Sequence, residues 1–374
     1  MKICVIPTTD WTRHPVPNRL NFIFDILSAR HEVYVLHFRI GKFSGNPSRP
    51  TTCTLVETGD REIRDPALYY IKNAFSHRKT LRNLVGNEGI EVILSANIIP
   101  SWFANGTRVP VVFDYLDHLE ESASVYYPGS PIAPLIRWGV RRITRHNLRS
   151  AVSVITVTDE FRQYLEGVGV RNVEVIPNGV DTGLLVPGDK ESAKASLGLT
   201  GPVIGYVGSL EYWVDLETVI AAMPRIPGVT LLVVGPGLFT DYSDRIRGLA
   251  RDLGVADRIR FAGTVPYADL PLYIAAMDIG LNPLKRMEKN ELTAGGKIFN
   301  YLSCGRPVLS SRMPPLQKML GDALAYYDDA ESFADQVSRI LTNPRDPAFF
   351  RRIAEQYDWK KIADRYVRVL EAAC

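Results

Sequence analysis

The sequence has few cysteines and no pattern that would pair them. The four cysteines among its 374 residues are Cys4, Cys53, Cys304 and Cys374. None belongs to a CxxC motif or stands at a Cys/His spacing typical of zinc sites. The sequence therefore predicts reduced thiols, with neither a disulfide framework nor a zinc centre.

Long apolar runs and a strong charge excess are also lacking. No uninterrupted apolar run approaches the ~20 residues of a membrane-spanning helix, and Met1 leads directly into an apolar strand rather than into a signal peptide. The net charge of +3 is far below that of a typical nucleic-acid-binding domain. We therefore expect a cytoplasmic protein, peripheral on the inner face of the cell membrane at most, that does not bind nucleic acid.

Short apolar strands alternate with amphipathic helices along the whole chain, which is long enough for two domains. The strands predicted in the first half are residues 2–7, 32–38, 52–56, 91–96, 109–115, 152–157 and 173–176. Those predicted in the second half are residues 202–207, 230–234, 258–262, 279–282, 308–311 and 324–327. Because the strands are apolar throughout, we expect α/β domains with parallel sheets that are covered on both faces.

A polar stretch with glycine and proline divides the two series of strands. We place the first domain at residues 1–183, the second at 184–355 and a closing helix at 356–374. At the junction, Asn178 and Gly179 are expected to take positive φ angles and to form a sharp hinge. The default binding site of two such doubly wound domains is the crevice beyond the carboxyl ends of their strands.

The segment 290–311 (NELTAGGKIFNYLSCGRPVLSS) carries the clearest local motif. Gly295 and Gly296 open a short helix, and Gly305 follows its end. Bare backbone N–H groups and the helix dipole favour an anion there, and Lys297 adds a full positive charge. The alternative is an ordinary loop and helix of an α/β domain, because short glycine motifs also arise by chance.

Polar residues follow two predicted strands of the first domain. Asp114, Asp117 and His118 stand where one strand ends, and we expect them beside the reacting sugar or the acceptor. The alternatives are a helix N-cap for Asp117 and a surface-loop histidine for His118. Arg13 follows the first strand, where it would meet an anionic acceptor or a phosphate, or would simply help to close a rigid loop.

A predicted helix at residues 134–150 is strongly basic. Its arginines at i, i+4 spacing are Arg137, Arg141, Arg145 and Arg149. Together with an apolar face, such a stripe is typical of a helix that rests on an anionic bilayer. A solvated arginine face on a core helix gives the same pattern.

Several segments, in order, resemble glycosyltransferase family 4, the retaining, nucleotide-sugar-dependent enzymes of GT-B fold. They are VEVIPNGVD (173–181), GYVGSL (205–210), LLVVGPG (231–237), IRFAGTVPYADLPLYIAAMDIGLNP (259–283) and KIFNYLSCGRPVLSS (297–311). The run YDWKKIADRYVRVLE (357–371) is similar to the closing helix of that group, which crosses back onto the first domain. The resemblance implies GT-B architecture, with two Rossmann-like domains that face a central cleft.

The resemblance also implies a reaction. A hexosyltransferase of this kind moves a sugar from a nucleoside-diphosphate sugar to a saccharide or lipid-linked acceptor, in the synthesis of surface polysaccharide, glycolipid or glycoconjugate. It needs no metal and no cofactor besides the donor. The alternatives are a GT-B-fold sugar-nucleotide epimerase and a non-catalytic homologue that binds a nucleotide or a glycan.

The family's roles are carried over to matching positions. Gly295, Gly296 and Lys297 would hold the donor diphosphate, and Lys297 would also stabilise the leaving group. Asn300 occupies the position of the glutamate that binds the ribose. Leu292 occupies the position of a second glutamate, although Glu291 lies one place away.

Two further expectations concern the donor and the proton. Gly208 and Ser209 would lie beside the phosphates, although residues 211–215 (EYWVD) lack the Arg and Lys that the family often carries there. In such enzymes the departing phosphate oxygen takes the acceptor proton, so no general base is needed. Asp117 and His118 would then orient the sugar and the acceptor.

Overall fold

The computed structural model describes residues 1–116, 133–237 and 240–374. These residues form two compact units. Unit 1 comprises Met1–Pro177 together with Trp359–Cys374, and unit 2 comprises Asn178–Asp358. The chain thus leaves unit 1 a few residues before the predicted boundary at 183, and it returns to unit 1 after Asp358.

Unit 1 contains a seven-stranded sheet in which all pairs of neighbours are parallel. The strands are β1 (Lys2–Ile6), β2 (Glu32–Phe38), β3 (Thr54–Thr58), β4 (Val92–Ser95), β5 (Val111–Asp114), β6 (Ser153–Thr156) and β7 (Val173–Val175). Their order is β3-β2-β1-β4-β5-β6-β7. Most of their side chains are buried, which explains why the strands read as continuous apolar runs.

Helices cover this sheet. The helices before the junction are α1 (Arg19–Leu27), α2 (Pro66–Lys72), α3 (Ala74–Glu88), α4 (Ile98–Ala104), α5 (Ala133–Ser150) and α6 (Asp159–Gly167). Local signals set their starts: the Asn18 side chain caps α1 in a capping box with Asn21, and Thr158 caps α6. No helix in the described ranges has both the length and the apolar character needed to cross a bilayer.

The C-terminal helix, Trp359–Ala373, belongs to unit 1 and packs against α1. Trp359 stacks on Phe22 with ring centroids 5.2 Å apart. Tyr366 and Leu370 are fully buried in the same apolar cluster as β1. The predicted return of the last helix to the first domain is confirmed.

Unit 2 contains a six-stranded parallel sheet. Its strands are β8 (Val203–Val207), β9 (Thr230–Val234), β10 (Ile259–Gly263), β11 (Ile279–Asn282), β12 (Val308–Ser311) and β13 (Ala325–Tyr327). Its helices are α7 (Lys190–Leu197), α8 (Leu216–Ala222), α9 (Tyr242–Asp252), α10 (Leu270–Ala275), α11 (Glu288–Leu292), α12 (Lys297–Ser303), α13 (Pro314–Leu320), α14 (Ala330–Thr342) and α15 (Pro347–Ala354). The strand order is β10-β9-β8-β11-β12-β13.

In both units the chain winds outward from the centre of the sheet in two directions. The order reverses between β1 and β4 in unit 1 and between β8 and β11 in unit 2. This confirms the predicted pair of doubly wound α/β domains. In such sheets, ligands bind at the carboxyl ends of the strands beside the reversal.

Among the buried residues of helix α12, Tyr301 makes specific contacts with the sheet of unit 2. The ring of Tyr301 lies directly on Gly280 of β11, so closely that a Cβ on Gly280 would overlap it. The Tyr301 hydroxyl accepts a hydrogen bond of 2.7 Å from the backbone N–H of Val207, the last residue of β8. Tyr301 therefore sets the position of α12 against the two central strands.

The junction uses a different device from the one predicted. Neither Asn178 nor Gly179 has a positive φ angle, so the expected sharp hinge through left-handed backbone is wrong. Instead, the Asn178 side-chain amide donates a hydrogen bond of 2.8 Å to the carbonyl of Ala294. This bond holds the first residues of unit 2 against the turn that precedes α12.

We predict that Gly280→Ala destabilises unit 2 by about 1–3 kcal/mol, because the added methyl group must displace a fully buried ring. Chemical denaturation followed by circular dichroism measures this change in the free energy of unfolding. Gly248→Ala, within α9, is the matched control: its Cβ would meet no atom within 4 Å, so helix propensity should make it neutral or stabilising by up to ~1 kcal/mol. Equal stabilities of the two variants would contradict this account of Tyr301.

Candidate functional site

The candidate site lies at the carboxyl edge of the unit 2 sheet, beside the reversal of strand order. Strand β8 ends at Val207 and is followed by Gly208 and Ser209. Helix α12 begins with Lys297, whose side chain reaches the end of β8. The fold thus brings together three of the residues predicted to bind a donor phosphate.

Two glycine turns pack backbone against backbone at this edge. Gly208 has a φ of +150° and Gly235, which follows β9, has a φ of +132°. A Cβ on Gly235 would overlap the carbonyl oxygen of Gly208, whose N–H donates to the carbonyl of Val234 at 2.9 Å. Side chains at either position would be strained by the backbone and blocked by their neighbours.

Gly208 also packs closely against the side chain of Lys297. A Cβ at Gly208 would lie 2.8 Å from the Tyr206 hydroxyl and 3.2 Å from Cε of Lys297. The Tyr206 hydroxyl in turn donates to the carbonyl of Ser209 at 2.8 Å. Tyr206 therefore holds the turn that carries Gly208 and Ser209. Its ring also packs against the side chain of Lys297.

The side chain of Lys297 is partly buried, and its ammonium has no compensating charge within the described ranges. Its Nζ lies 3.3 Å from the Tyr206 hydroxyl and 4.7 Å from the centre of that ring. Burial lowers the pKa of Lys297 from 10.5 to about 8, and no carboxylate in the described ranges pairs with it. A partly desolvated cation without a counter-charge costs the fold some stability, so an anion that binds here would relieve that cost.

The backbone before α12 is uncovered. Gly296 precedes the helix with ordinary φ and ψ angles of −70° and −20°, and as a glycine it has no side chain to cap the first N–H groups. A Cβ on Gly295 would meet no atom within 4 Å, and one on Gly296 would come no closer than 3.7 Å to Asn178. Neither glycine is therefore required by packing or by backbone strain, and their effect is to leave the turn open to a ligand.

The two positions where the family carries glutamate lie close in sequence to this turn. Asn300 lies one turn into α12 and is partly exposed, and its side chain makes no hydrogen bond within the described ranges. Leu292 is the last residue of α11 and is also partly exposed. An amide at Asn300 can still donate to and accept from a sugar hydroxyl, but without a full charge.

Asp114 does not serve as the predicted contact to acceptor or sugar. Its side chain is fully buried in unit 1, where it accepts a hydrogen bond of 2.9 Å from the Tyr366 hydroxyl and lies 3.9 Å from Nε of Arg19. Burial raises its pKa, while Arg19 and the bond from Tyr366 oppose that rise. The physical reason for this correction is the C-terminal helix, which packs over the end of β5 and gives Asp114 a structural role.

Arg13 lies in a loop that is held by its own contacts. Its N–H donates to the buried carboxylate of Asp10 at 2.8 Å, and its carbonyl accepts from Asn46 at 2.9 Å. These bonds fit the alternative in which the loop is a closed, rigid turn. The guanidinium forms no ion pair in the described ranges, so its contact with an anionic ligand stays a prediction. Asp117 and His118 lie outside the described residues.

Sequence reasoning missed the residues that support Lys297. Tyr206 and Tyr301 are buried tyrosines whose hydroxyls both bind backbone at the end of β8. A tyrosine within an otherwise apolar central strand is a usable signal, because a buried hydroxyl requires a partner. Gly235 stands in the segment LLVVGPG, but its packing against Gly208 has no signature in the sequence.

In the described ranges, no three His, Cys, Asp or Glu side chains converge as a metal-binding group. The ammonium of Lys297 and the backbone N–H groups at the candidate site instead suit an anionic ligand. Metal independence itself stays a prediction.

Comparison with known protein families identifies two domains. Residues 26–184 match the model of "Glycosyltransferase Family 4", and residues 201–343 match that of "Glycosyl transferases group 1". The two matches follow one another along the chain and together cover most of it.

Individual relatives carry glycosyltransferase names. The chain is 30% identical over 212 residues to the lipopolysaccharide core biosynthesis glycosyltransferase LpsE of Rhizobium meliloti, covering 54% of this chain and 58% of that protein. It is 28% identical over 225 residues to a D-inositol 3-phosphate glycosyltransferase of Mycobacteroides abscessus, covering 56% and 49%. The chain thus spans about half the length of the relatives that it matches.

Solved structures share the fold over the full length. Sucrose-phosphate synthase of Thermosynechococcus elongatus superimposes with a TM-score of 0.77 at 20% identity, and 100% of each chain is covered. HepE of Anabaena in complex with UDP-glucose superimposes with a TM-score of 0.72 at 18% identity, again with full coverage. At these identities the likeness establishes the fold, which is that of the GT-B glycosyltransferases. The chain therefore contains a glycosyltransferase family 4 domain in its first half and a group 1 glycosyltransferase domain in its second.

Proposed function

We propose that this protein transfers a hexose from a nucleoside-diphosphate sugar to a saccharide or lipid-linked acceptor, with retention of configuration and without a metal. The observation that carries this proposal is the partly buried ammonium of Lys297 beside Gly208, which has no carboxylate partner in the described ranges, at the reversal of strand order in unit 2. A diphosphate supplies the missing negative charge.

The named relatives support a donor of this class. HepE of Anabaena was crystallised with UDP and with UDP-glucose. LpsE is named for lipopolysaccharide core biosynthesis, and the other relatives are named for D-inositol 3-phosphate. The relatives' names thus include both a glycan and a small molecule. These similarities favour a uridine donor among the nucleotides to be tested first, and a polysaccharide or glycolipid product.

In the proposed mechanism, Lys297 and the open amides near Gly295 and Gly296 stabilise the diphosphate as it departs. Negative charge grows on that group in the transition state, and fixed donors in a desolvated site act on it strongly. Bound diphosphate raises the pKa of Lys297, so that the lysine is charged in the complex. Gly208 and Ser209 lie beside the phosphates, and Asn300 hydrogen-bonds the ribose.

The proton of the acceptor hydroxyl needs a destination. We propose that the departing phosphate oxygen accepts it on the face of attack, which avoids a separate general base. Asp117 and His118 would then act by orienting the sugar and the acceptor, and Arg13 by meeting an anionic part of the acceptor.

A non-catalytic nucleotide-binding homologue is the second candidate, because Asn300 and Leu292 replace both acidic residues of the family pattern. We expect turnover nevertheless: with UDP-sugar and a glycan or lipid acceptor, nucleoside diphosphate is released and a product of unchanged anomeric configuration forms, as read by NMR. If calorimetry shows that the donor binds but the donor remains intact with every acceptor tested, sugar transfer is contradicted and the non-catalytic binding homologue is favoured. Isomerised donor sugar without any acceptor would favour the epimerase.

The lowered pKa of Lys297 makes nucleotide affinity depend on pH. In the free protein the ammonium is fully protonated well below pH 8 and neutral well above it, so the dissociation constant for UDP should be flat up to about pH 7. It should then rise, approaching about tenfold per pH unit above 8 until the pKa of the complex is reached. Calorimetry between pH 6.5 and 9.5 measures this.

Two substitutions at the same position sharpen the test. Lys297→Met should weaken UDP binding about tenfold to a hundredfold at pH 7, because a charged hydrogen bond worth about 1.5–3 kcal/mol is lost, and its affinity should not vary with pH. Lys297→Arg keeps its charge throughout this range and should also show a flat profile. An unchanged affinity in Lys297→Met at pH 7 would remove Lys297 from the site.

We further propose that unit 1 rests on the anionic inner face of the cell membrane. The five most exposed large apolar side chains in the described ranges all lie on α2 to α5 of this unit. They are Ile71, Phe75, Trp102, Leu135 and Trp138, with Phe75 85% and Trp138 61% exposed. Contacts between α2 and α3, between α3 and α4, and between α4 and α5 join these helices into one layer.

Basic residues accompany these apolar side chains. Arg137, Arg141 and Arg149 are exposed on α5, Arg145 is partly buried, and the guanidinium of Arg142 lies 5.9 Å from the centre of the Trp138 ring. Exposed tryptophan and phenylalanine next to arginine suit the boundary between lipid headgroups and acyl chains. Such docking would bring a lipid-linked acceptor to the enzyme, which would then be cytoplasmic and peripheral.

Sedimentation with vesicles of phosphatidylglycerol and phosphatidylcholine tests this docking. Arg137→Gln and Arg141→Gln should each lower binding to anionic vesicles about fivefold, since one basic residue near such a surface contributes about 1 kcal/mol. Phe75→Ser with Trp138→Ser should also lower it, whereas Leu253→Ser, an exposed leucine of unit 2, should not. Equal sedimentation of all variants, or of wild type with and without phosphatidylglycerol, would contradict the membrane proposal.

A further inference from the structure

Away from the candidate donor site, unit 2 contains a cavity of about 530 Å³ beside the edge strand β13. Its walls come from β12 and the residues that flank it, from β13 and the residues that precede it, from α14, and from residues between the end of α14 and the middle of α15. Pro307, Ile340 and Phe350 supply apolar surface, and Gln336 and Asn343 supply side-chain amides. The volume lies in the range of small-molecule sites.

The charge of this cavity is positive. Arg312, Arg339 and Arg345 line it, together with one carboxylate, that of Asp322. Arg312 is neutralised by Asp328, whose carboxylate lies 3.0 Å from its Nε. In the described ranges, neither Arg339 nor Arg345 forms an ion pair, so two guanidiniums face this cavity against a single acidic side chain.

Arg345 is also held in position. It donates a hydrogen bond of 2.8 Å to the backbone carbonyl of Asp322, and its guanidinium lies 5.3 Å from the centre of the Phe349 ring. A guanidinium has five donors, so one bond to a carbonyl leaves others for a ligand. Because its orientation is fixed in the free protein, less entropy is lost when it binds.

This cavity is separate from the candidate donor site. The cavity lies along β12 and β13 at the edge of the sheet, from Pro307 to Arg312, whereas the donor site lies at the carboxyl end of the central strand β8. None of the residues that are proposed to bind the donor lines this cavity. A ligand here would therefore not be the nucleotide sugar in its reacting position.

We propose that this cavity is a second anion site, which binds a phosphate ester of sugar size. Guanidiniums bind phosphate oxygens in a bidentate, charge-assisted manner. The amides of Gln336 and Asn343 are suited to the hydroxyl groups of a sugar, and the apolar wall is suited to its ring carbons. The proposal rests on the geometry of unit 2 alone and does not require that the protein transfer sugar.

Calorimetry with glucose 6-phosphate tests this site, with saturating UDP present so that the donor site is occupied. A second set of titrations uses Lys297→Met without UDP, which keeps the test valid if UDP does not bind. We expect saturable binding of one equivalent in both settings, weaker binding of inorganic phosphate, and none of glucose.

Three variants identify the location. Arg339→Gln and Arg345→Gln should each weaken glucose 6-phosphate binding at least about tenfold, in line with loss of one charged hydrogen bond. Arg251→Gln, an exposed arginine of α9, should bind as wild type does. The substituted arginines are on the surface, so thermal unfolding should match wild type. Absence of saturable binding, or equal binding by wild type and an Arg339→Gln, Arg345→Gln double variant, would overturn the proposal.

Discussion

The candidate site depends on one interaction, the contact of the Lys297 ammonium with Tyr206 beneath the Gly208 turn. Tyr206 holds this turn by its bond to the Ser209 carbonyl, and Tyr301 holds α12, which carries the lysine, against β8 and β11. The lysine is thus partly covered by elements that are themselves fixed by hydrogen bonds. Because no carboxylate in the described ranges pairs with it, the fold keeps a partly desolvated positive charge at a point where doubly wound sheets bind ligands. That combination, more than the glycine motif alone, indicates an anionic ligand.

The glycines of unit 2 fall into two groups with different physical roles. Gly208, Gly235 and Gly280 are required by the fold, because a side chain at any of them would strain the backbone or overlap a neighbour. Gly295 and Gly296 have open space where a Cβ would stand, and Gly296 has ordinary helical angles. Packing therefore does not require glycine at these two positions. The lack of a side chain instead leaves the backbone N–H groups accessible to a ligand. The sequence shows both groups as glycine and does not separate them.

Much of the fold could be predicted from the sequence, because buried parallel strands appear as short apolar runs and because Asn18 and Thr158 mark helix starts. The position of α12 was also predictable from Gly296 and Gly305. The role of Asp114 was not, since it depends on a helix more than 240 residues later in the chain, whose Tyr366 bonds to it. The exposed apolar layer of unit 1 and the arginines beside β13 likewise become visible only when side chains are placed in space. Sequence periodicity marks which residues are apolar or charged, but not which of them lack a partner.

The most direct test of the central claim is a crystal structure of the protein soaked with UDP at pH 7. The account predicts that the diphosphate lies over the Gly208 turn, with one phosphate oxygen about 2.7–2.9 Å from Nζ of Lys297, the usual distance for a charged hydrogen bond. It also predicts contacts from the diphosphate to backbone N–H groups between Gly295 and Lys297. A nucleotide bound elsewhere, or at this edge with Lys297 still turned onto Tyr206 and away from the phosphates, would contradict it.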